Sequence, residues 1–270
     1  MKFDNEFDLQ HYDLEKVKPW DRMDYVPRGS TALLDAIGRT LTEVKARIKL
    51  LMLDALGCAL YGADLEWSRM LQHTLTQVDA SRTCNVWGTT RKLSAPHAAL
   101  INGTQVQGFE LDDVHRAGVL HVGAVVLPSL ISITEMRPGM SGREFITAAV
   151  AGYEIGPRVG LCMRPDHLLQ GWHSGATLGV FSSAAGAARA LKLDVDKTVH
   201  ALGIAGTQSA GLMAAQYGAM VKRMHAGRAS QSGLYGALIA ESGFTGSLTC
   251  WKATTAASAP PSRARTTVTT

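Results

Sequence analysis

The sequence predicts an all-α protein, and three observations carry that prediction. Apolar residues recur at helical spacing in one segment after another. Few stretches alternate polar and apolar with period two, the mark of a half-buried strand. The breaks between apolar segments are short and punctuated by Gly and Pro, which suits helices packed on helices. The chain has 270 residues, 46% hydrophobic and only 19% charged. That is enough to bury a large core, and the low charge places much of the helical surface inside or at a subunit contact.

Residues 1–30, with Pro19 and Pro27, read as an extended arm. Leu33, Leu34, Ile37 and Leu41 keep helical spacing, and so do Ile48, Leu51, Met52 and Leu56. Within "LLMLDALGCALYGA" (50–63) the small residues permit close helix–helix approach. "SRTCNVWGTTR" (81–91) reads as a short strand or turn. "SAPHAALINGTQVQ" (94–107) reads as a helix starting at Ser94, with Pro96 in its first turn. "AVVLPSLISITEM" (124–136) is an apolar helix, ended by Pro138, Gly139 and Gly142. Helices are predicted again over 143–162, over the small-residue stretch 174–191, over 194–215 and over 226–242. The tail changes character. Fifteen of the twenty residues in 251–270 are Ala, Thr, Ser or Pro, a composition expected to be disordered.

Composition also excludes function classes. A net charge of +4, from scattered lysines and arginines, argues against a nucleic-acid partner. Cys58, Cys84, Cys162 and Cys250 lie far apart without a C-x-x-C pair, so neither a zinc site nor a disulfide framework is indicated. The acidic start, with Asp4, Glu6 and Asp8, is not a signal peptide, and no apolar run is long enough to span a membrane. No Gly-rich phosphate loop and no G-x-S-x-G elbow is present. The expectation is a soluble cytoplasmic protein without a cofactor.

Three segments carry candidate chemistry. "ELDDVHRAGVLH" (110–121) holds three acids and two histidines in twelve positions. A carboxylate beside an imidazole tunes and orients a general acid or base, which singles out Asp112, Asp113, His115 and His121. The competing reading is a polar interhelix loop in which Asp113 caps the next helix. In "GWHSGATLG" (171–179), His173 precedes what reads as a helix N-terminus, whose free N–H groups suit an anion. The competing reading is a loop histidine stacked on Trp172. "QYGAMVKRMHAGRAS" (216–230) puts Lys222, Arg223, His225 and Arg228 within seven residues. On a helix, Lys222 and His225 share a face. The competing reading is a basic surface helix end, although the Gly, Ala and Met flanks suit a solvated face poorly. The five-residue gap between His115 and His121 is too weak a spacing to argue for metal. What remains is proton transfer in a cationic pocket, which suits a small polycarboxylate.

Six motifs between residue 31 and Gly246 resemble the MmgE/PrpD family. They are "LDALGCALYGA", "NGTQVQGFELDDVHRAGVLHVGAVVLPSL", "GYEIGPRVG", "GWHSGATLG", "ALGIAGTQSAGLMAAQYGAMVKRMHAGRAS" and "GFTG". That family includes 2-methylcitrate dehydratase, cis-aconitate decarboxylase and iminodisuccinate epimerase. The resemblance is nearest to the fungal-type cis-aconitate decarboxylases, through the Glu-Leu-Asp-Asp, Gly-Trp-His and Met-Val-Lys-Arg stretches. It implies a helical domain followed by a smaller α+β lid, in a metal-free homodimer that acts on small di- or tricarboxylates. His121, before "VGAVVLP", and His173 match the family's active-site histidines, implied to transfer protons or support that transfer. Lys222 matches its lysine, with His225 one turn on. Asp112 and Asp113 match its acidic pair. Lys222, His225 and His115 are then expected at substrate carboxylates. Dehydration, decarboxylation and epimerisation all remain open, because each needs acid–base groups among cations.

The resemblance stops at Gly246, so the lid is expected to be missing from this chain. Back-translated with G/C-leaning codons and read one base over, "SLTCWKATTAAS" (247–258) yields an L-E-x-x-Y-G-G-F-like segment that family members carry here. A single-base deletion would produce such a tail. An open pocket without lid-supplied groups is expected to be inactive or nearly so. The alternative from another function class is a non-catalytic remnant that dimerises or binds anions.

Overall fold

The computed structural model describes residues 31–163 and 166–247, with backbone alone over 31–41. The arm predicted at 1–30 and the tail beyond Ser247 lie outside the described residues. The chain forms two compact units, 1–43 and 44–270. In the first unit the helical backbone from Thr31 is described, and the second unit holds the packed core and the candidate site.

The all-α class is the class the chain adopts. The helices are α1 (Thr31–Gly62), α2 (Glu66–Val78), α3 (Ala95–Gln107), α4 (Val122–Met136), α5 (Gly142–Met163), α6 (Asp166–Leu169), α7 (Ser174–Thr177), α8 (Gly179–Ala190), α9 (Val195–Gly206) and α10 (His225–Glu241). Among the described residues the only sheet is an antiparallel ribbon. It joins β1 (Cys84–Asn85) to β2 (Lys92–Leu93), with Cys84 opposite Leu93. None of the described helices is long and apolar enough to cross a membrane.

Helices α8 and α10 form the centre. Helix α10 packs against α3, α4, α8 and α9, and α8 also packs against α4, α5 and α9. Small residues make this possible by letting backbones meet. A Cβ on Gly233 would stand 2.4 Å from the Ser183 Cβ. A Cβ on Gly103 would stand 2.7 Å from the Gly227 Cα, so α3 and α10 cross backbone to backbone. Leu120, Leu127, Leu130, Phe181 and Leu234 fill the space left between the elements. At about 25 cal/mol per Å² of buried apolar surface, each such side chain is worth roughly 1.5–3 kcal/mol.

The structure departs from the predicted elements in three places. Helix α2 carries polar residues on its buried side, Ser68 and Gln72, so apolar periodicity does not reveal it. Gln72 is satisfied there by donating to the Ala63 carbonyl at 3.0 Å. The helix predicted over 174–191 is two pieces, the single turn α7 and then α8, joined at Leu178. The helix predicted over 194–215 ends at Gly206. Beyond it the backbone pairs with the segment before α7 instead. The His173 N–H donates to the Gly211 carbonyl at 3.0 Å, and the Met213 N–H to the Gly171 carbonyl at 2.8 Å. Thr207, Ser209 and Gly211 are poor helix formers, so the cross-chain pairing wins over helix propagation. Two 3-10 turns, Met213–Gln216 and Met220–Met224, then lead into α10.

Candidate active site

The loop between α3 and α4 turns sharply at once. Glu110 adopts φ 66°, a left-handed conformation that few residues other than Gly take. His115 and Leu120 then form an antiparallel bridge that closes a small loop and delivers His121 to the N-cap of α4. Asp112 is buried, and its Oδ1 accepts from the His121 Nδ1 at 3.0 Å. Its Oδ2 has no hydrogen-bond partner among the described residues. Asp113 accepts the Gly123 N–H at 2.9 Å in the first turn of α4, while its own N–H donates to Asp54 Oδ2 at 3.2 Å. A Cβ at Gly123 would lie 2.2 Å from Asp113 Oδ1, so this close approach requires glycine. The predicted cap is real, but it serves to seat the acid pair.

Burial and acid–acid repulsion set the charges here. Burial raises the Asp113 carboxyl to about 7, helped by the neighbouring Asp112 and Asp54 charges. Burial also raises Asp112, against the pull of His121. For His121, burial works downward, but the hydrogen bond and charge of Asp112, with Glu110 and Asp113, outweigh it and raise the imidazole.

His173 sits in the opposite environment. It is the N-cap of α7 and is buried. Its Nδ1 lies 3.1 Å from the Nδ1 of His225, the first residue of α10, with ring centroids 4.9 Å apart. A Cβ on Gly175 would stand 2.9 Å from the His173 ring, so glycine makes room for it. Burial, then the charges of His225, Lys222 and His121, push His173 down to about 3. Burial and Lys222 lower His225 as well. Helix α7 is only one turn, and its Ala176 and Thr177 N–H groups already bond to the His173 carbonyl. The predicted helix N-terminus is therefore short and partly used. Trp172 stacks on His167 at 6.4 Å.

Lys222 lies in the 3-10 turn before α10 with its amine buried, and it pairs with the Glu110 carboxylate. Arg223 Nη1 stands 3.4 Å from the same oxygen, Glu110 Oε1, and its guanidinium lies 5.4 Å from the Trp67 ring centroid. Glu110 is the cavity-lining acid that sequence reasoning missed. The signal was available: a buried lysine between Gly, Ala and Met neighbours needs a counter-ion, and "ELDD" offers three.

These three junctions meet at a cavity of about 180 Å³. His121, His173, Lys222, Glu110, Ser174 and Gln216 supply its polar lining, and Val114, Val119, Leu168 and Met213 its apolar one. The structure thus brings together His121, His173 and Lys222 from segments more than 40 residues apart. Asp112 stands behind His121, and His225 behind His173. Asp113 is anchored at the start of α4. His115 is not among the lining residues. It is exposed, and its Nδ1 accepts the Gly118 N–H of its own loop at 2.9 Å. Arg228 is exposed too, and pairs with Gln231. Among the described residues no group of three or more His, Cys, Asp or Glu is placed to hold a metal ion.

The sequence that builds these helices and junctions matches a known domain. The sequence profile of the MmgE/PrpD N-terminal domain matches residues 35–262. The chain belongs to the MmgE/PrpD family. Over 211 residues it is 41% identical to a cis-aconitate decarboxylase-like protein of Aspergillus oryzae, covering 76% of this chain and 44% of that protein. It is 39% identical over 208 residues to the cis-aconitate decarboxylase of Aspergillus terreus, covering 75% of this chain and 42% of that one. The cis-aconitate decarboxylase of Homo sapiens is 27% identical over 215 residues, covering 78% of this chain and 44% of the human protein. The chain therefore spans less than half the length of the MmgE/PrpD relatives it matches.

Proposed function

We propose that this chain carries the proton-transfer and cation-bearing part of a lyase site for a small tricarboxylate, with decarboxylation of a cis-aconitate-type acid as the reaction. One observation carries the reading: His121, His173 and Lys222 line a single cavity in which the two imidazoles are biased to opposite charge states. The relatives' names favour decarboxylation over dehydration or epimerisation.

The chemistry follows from that bias. Loss of CO2 from an unsaturated tricarboxylate leaves electrons on carbon, and a proton must be delivered there. His121, with its proton held by Asp112, is suited to give one. His173, kept neutral, is suited to accept one or to hold a neutral donor without repelling Lys222. Lys222 is suited to grip a carboxylate. Asp112 and His225 act through the two cavity histidines as positioning residues. Val114 lines the cavity yet is half exposed, so the described site stands open on that side. Because decarboxylation gains from water exclusion, turnover by this chain alone is expected to be slow or absent.

The test is calorimetric binding of cis-aconitate, with CO2 release from cis-aconitate and alkene formation from 2-methylcitrate followed in parallel. The expected result is saturable binding that Lys222→Ala weakens by on the order of 10²-fold, since a buried cation is lost. Binding that is absent, or unchanged in Lys222→Ala, sinks the proposal. Alkene formation without CO2 release would replace decarboxylation with dehydration.

A further inference from the structure

We propose that Glu110 is a built-in competitor for the cavity's cations, and that it restricts the site to acids bearing two or more carboxylates. This rests on the polycarboxylate reading above. Of the three acids in "ELDD", two are already engaged elsewhere: Asp112 by His121, Asp113 by the Gly123 N–H. Glu110 alone faces the cavity. Its Oε1 pairs with Lys222 and lies 3.4 Å from Arg223 Nη1, while its Oε2 lies 3.9 Å from His121 Nε2. Gln107 Nε2 donates to the same Oε1 at 3.3 Å. One glutamate carboxylate thus occupies the place a ligand carboxylate would take. The backbone holds it there at φ 66°, a left-handed conformation that is unfavourable for a residue with a Cβ.

The Lys222 side chain is 9% exposed and that of Glu110 37%. The amine is therefore cut off from hydration and needs an anion, whereas the glutamate has water into which it can swing. An incoming carboxylate that displaces Glu110 exchanges one ion pair at Lys222 for another. That exchange is close to balanced, and the ligand still loses its translational freedom. A single carboxylate therefore gains nothing. A second one changes the sum, because Arg223 at 3.4 Å and His121 at 3.9 Å lie beyond the ~2.7–2.9 Å of a good charged hydrogen bond and are left poorly satisfied by Glu110. Glu110 thus sets a threshold in ligand charge, a repulsive element that discriminates against monocarboxylates.

The experiment titrates the 270-residue chain and its Glu110→Gln variant with tricarballylate and with crotonate, by calorimetry at neutral pH and low salt. E110Q is expected to bind tricarballylate on the order of 10-fold more tightly, as removal of a competing state requires. Crotonate, silent against the parent, is expected to bind E110Q measurably. Equal affinity of the two proteins, or weaker binding by E110Q, overturns the proposal and leaves the polycarboxylate reading intact. Tricarballylate binding to neither protein removes that reading, and this proposal with it. A second measurement needs no ligand: Lys222 of E110Q should be trinitrophenylated several-fold faster by trinitrobenzenesulfonate, its amine displacing sulfite from the ring, with the site located by peptide mass. An unchanged rate means Glu110 does not occupy the amine, and also overturns the proposal.

Discussion

His121 and His173 face one cavity, yet the protein treats them in opposite ways. His121 sits at the end of a loop beside Asp112, and the carboxylate raises the imidazole against the pull of burial. His173 sits at a junction where its neighbours are His225 and Lys222, and burial with those cations drives it down to about 3. The same side chain is a held proton on one wall and a neutral base on the other. Charge state in this site is set by what each junction brings up from behind, and the cavity lining alone does not reveal it.

The largest test of that contrast is geometric. Gly123→Ala would drive a Cβ to within 2.2 Å of Asp113 Oδ1 and 2.9 Å of the Tyr153 hydroxyl, dislodging the acids behind His121. A loss of about 3 kcal/mol in urea-unfolding stability is expected. A loss below about 0.5 kcal/mol would mean the acid pair is not rigidly held.

Next comes the pH slope of His173. Its folded value lies near 3, below its unfolded value near 6.5. Its stabilising share is therefore present above pH 6.5 and lost as pH falls through the interval down to 3. Between pH 6.5 and 5 the parent should lose roughly 2 kcal/mol that His173→Gln does not lose, at ~1.4 kcal/mol per pH unit. Parallel stability curves for the two proteins would erase the contrast.

Asp112→Asn should act the other way. His121 is raised in the folded state, so its contribution is complete below pH 6.5 and disappears as pH rises through its folded value. The variant should be about 1.5 kcal/mol less stable than the parent at pH 6, from loss of a charge-assisted hydrogen bond, with the gap narrowing as pH rises through the folded value of His121. Histidine NMR titration should show His121 falling in this variant. A stationary His121 would assign its proton affinity to another group.

The smallest effect belongs to His115. It is exposed and bonded within its own loop, so His115→Ala should shift stability by less than about 0.5 kcal/mol and leave tricarboxylate binding unchanged. A weakened affinity would return His115 to the site.

What the sequence made legible depends on the range of each interaction. Helices α3, α4, α5, α8 and α10 were readable because their apolar or small residues repeat along a face. His121, His173 and Lys222 stood out because titratable residues sat among residues that build cores. Glu110 escaped because its meaning depends on Lys222, 112 positions away. The end of α9 escaped for a similar reason, since Gly211 is claimed by the His173 N–H across the chain. Helix α2 escaped because it buries Ser68 and Gln72, which no apolar pattern records.

The crossing of Gly103 on Gly227 has a consequence beyond packing. Gly103 lies seven residues before Glu110, and Gly227 lies two residues after His225 and five after Lys222. The width between the two walls is thus gauged by the thickness of two bare backbones, a dimension no change of rotamer can alter. Single substitutions along the walls can therefore change the chemistry facing the cavity while the backbone separation at this crossing stays constant. Selectivity becomes a matter of surface chemistry at fixed aperture.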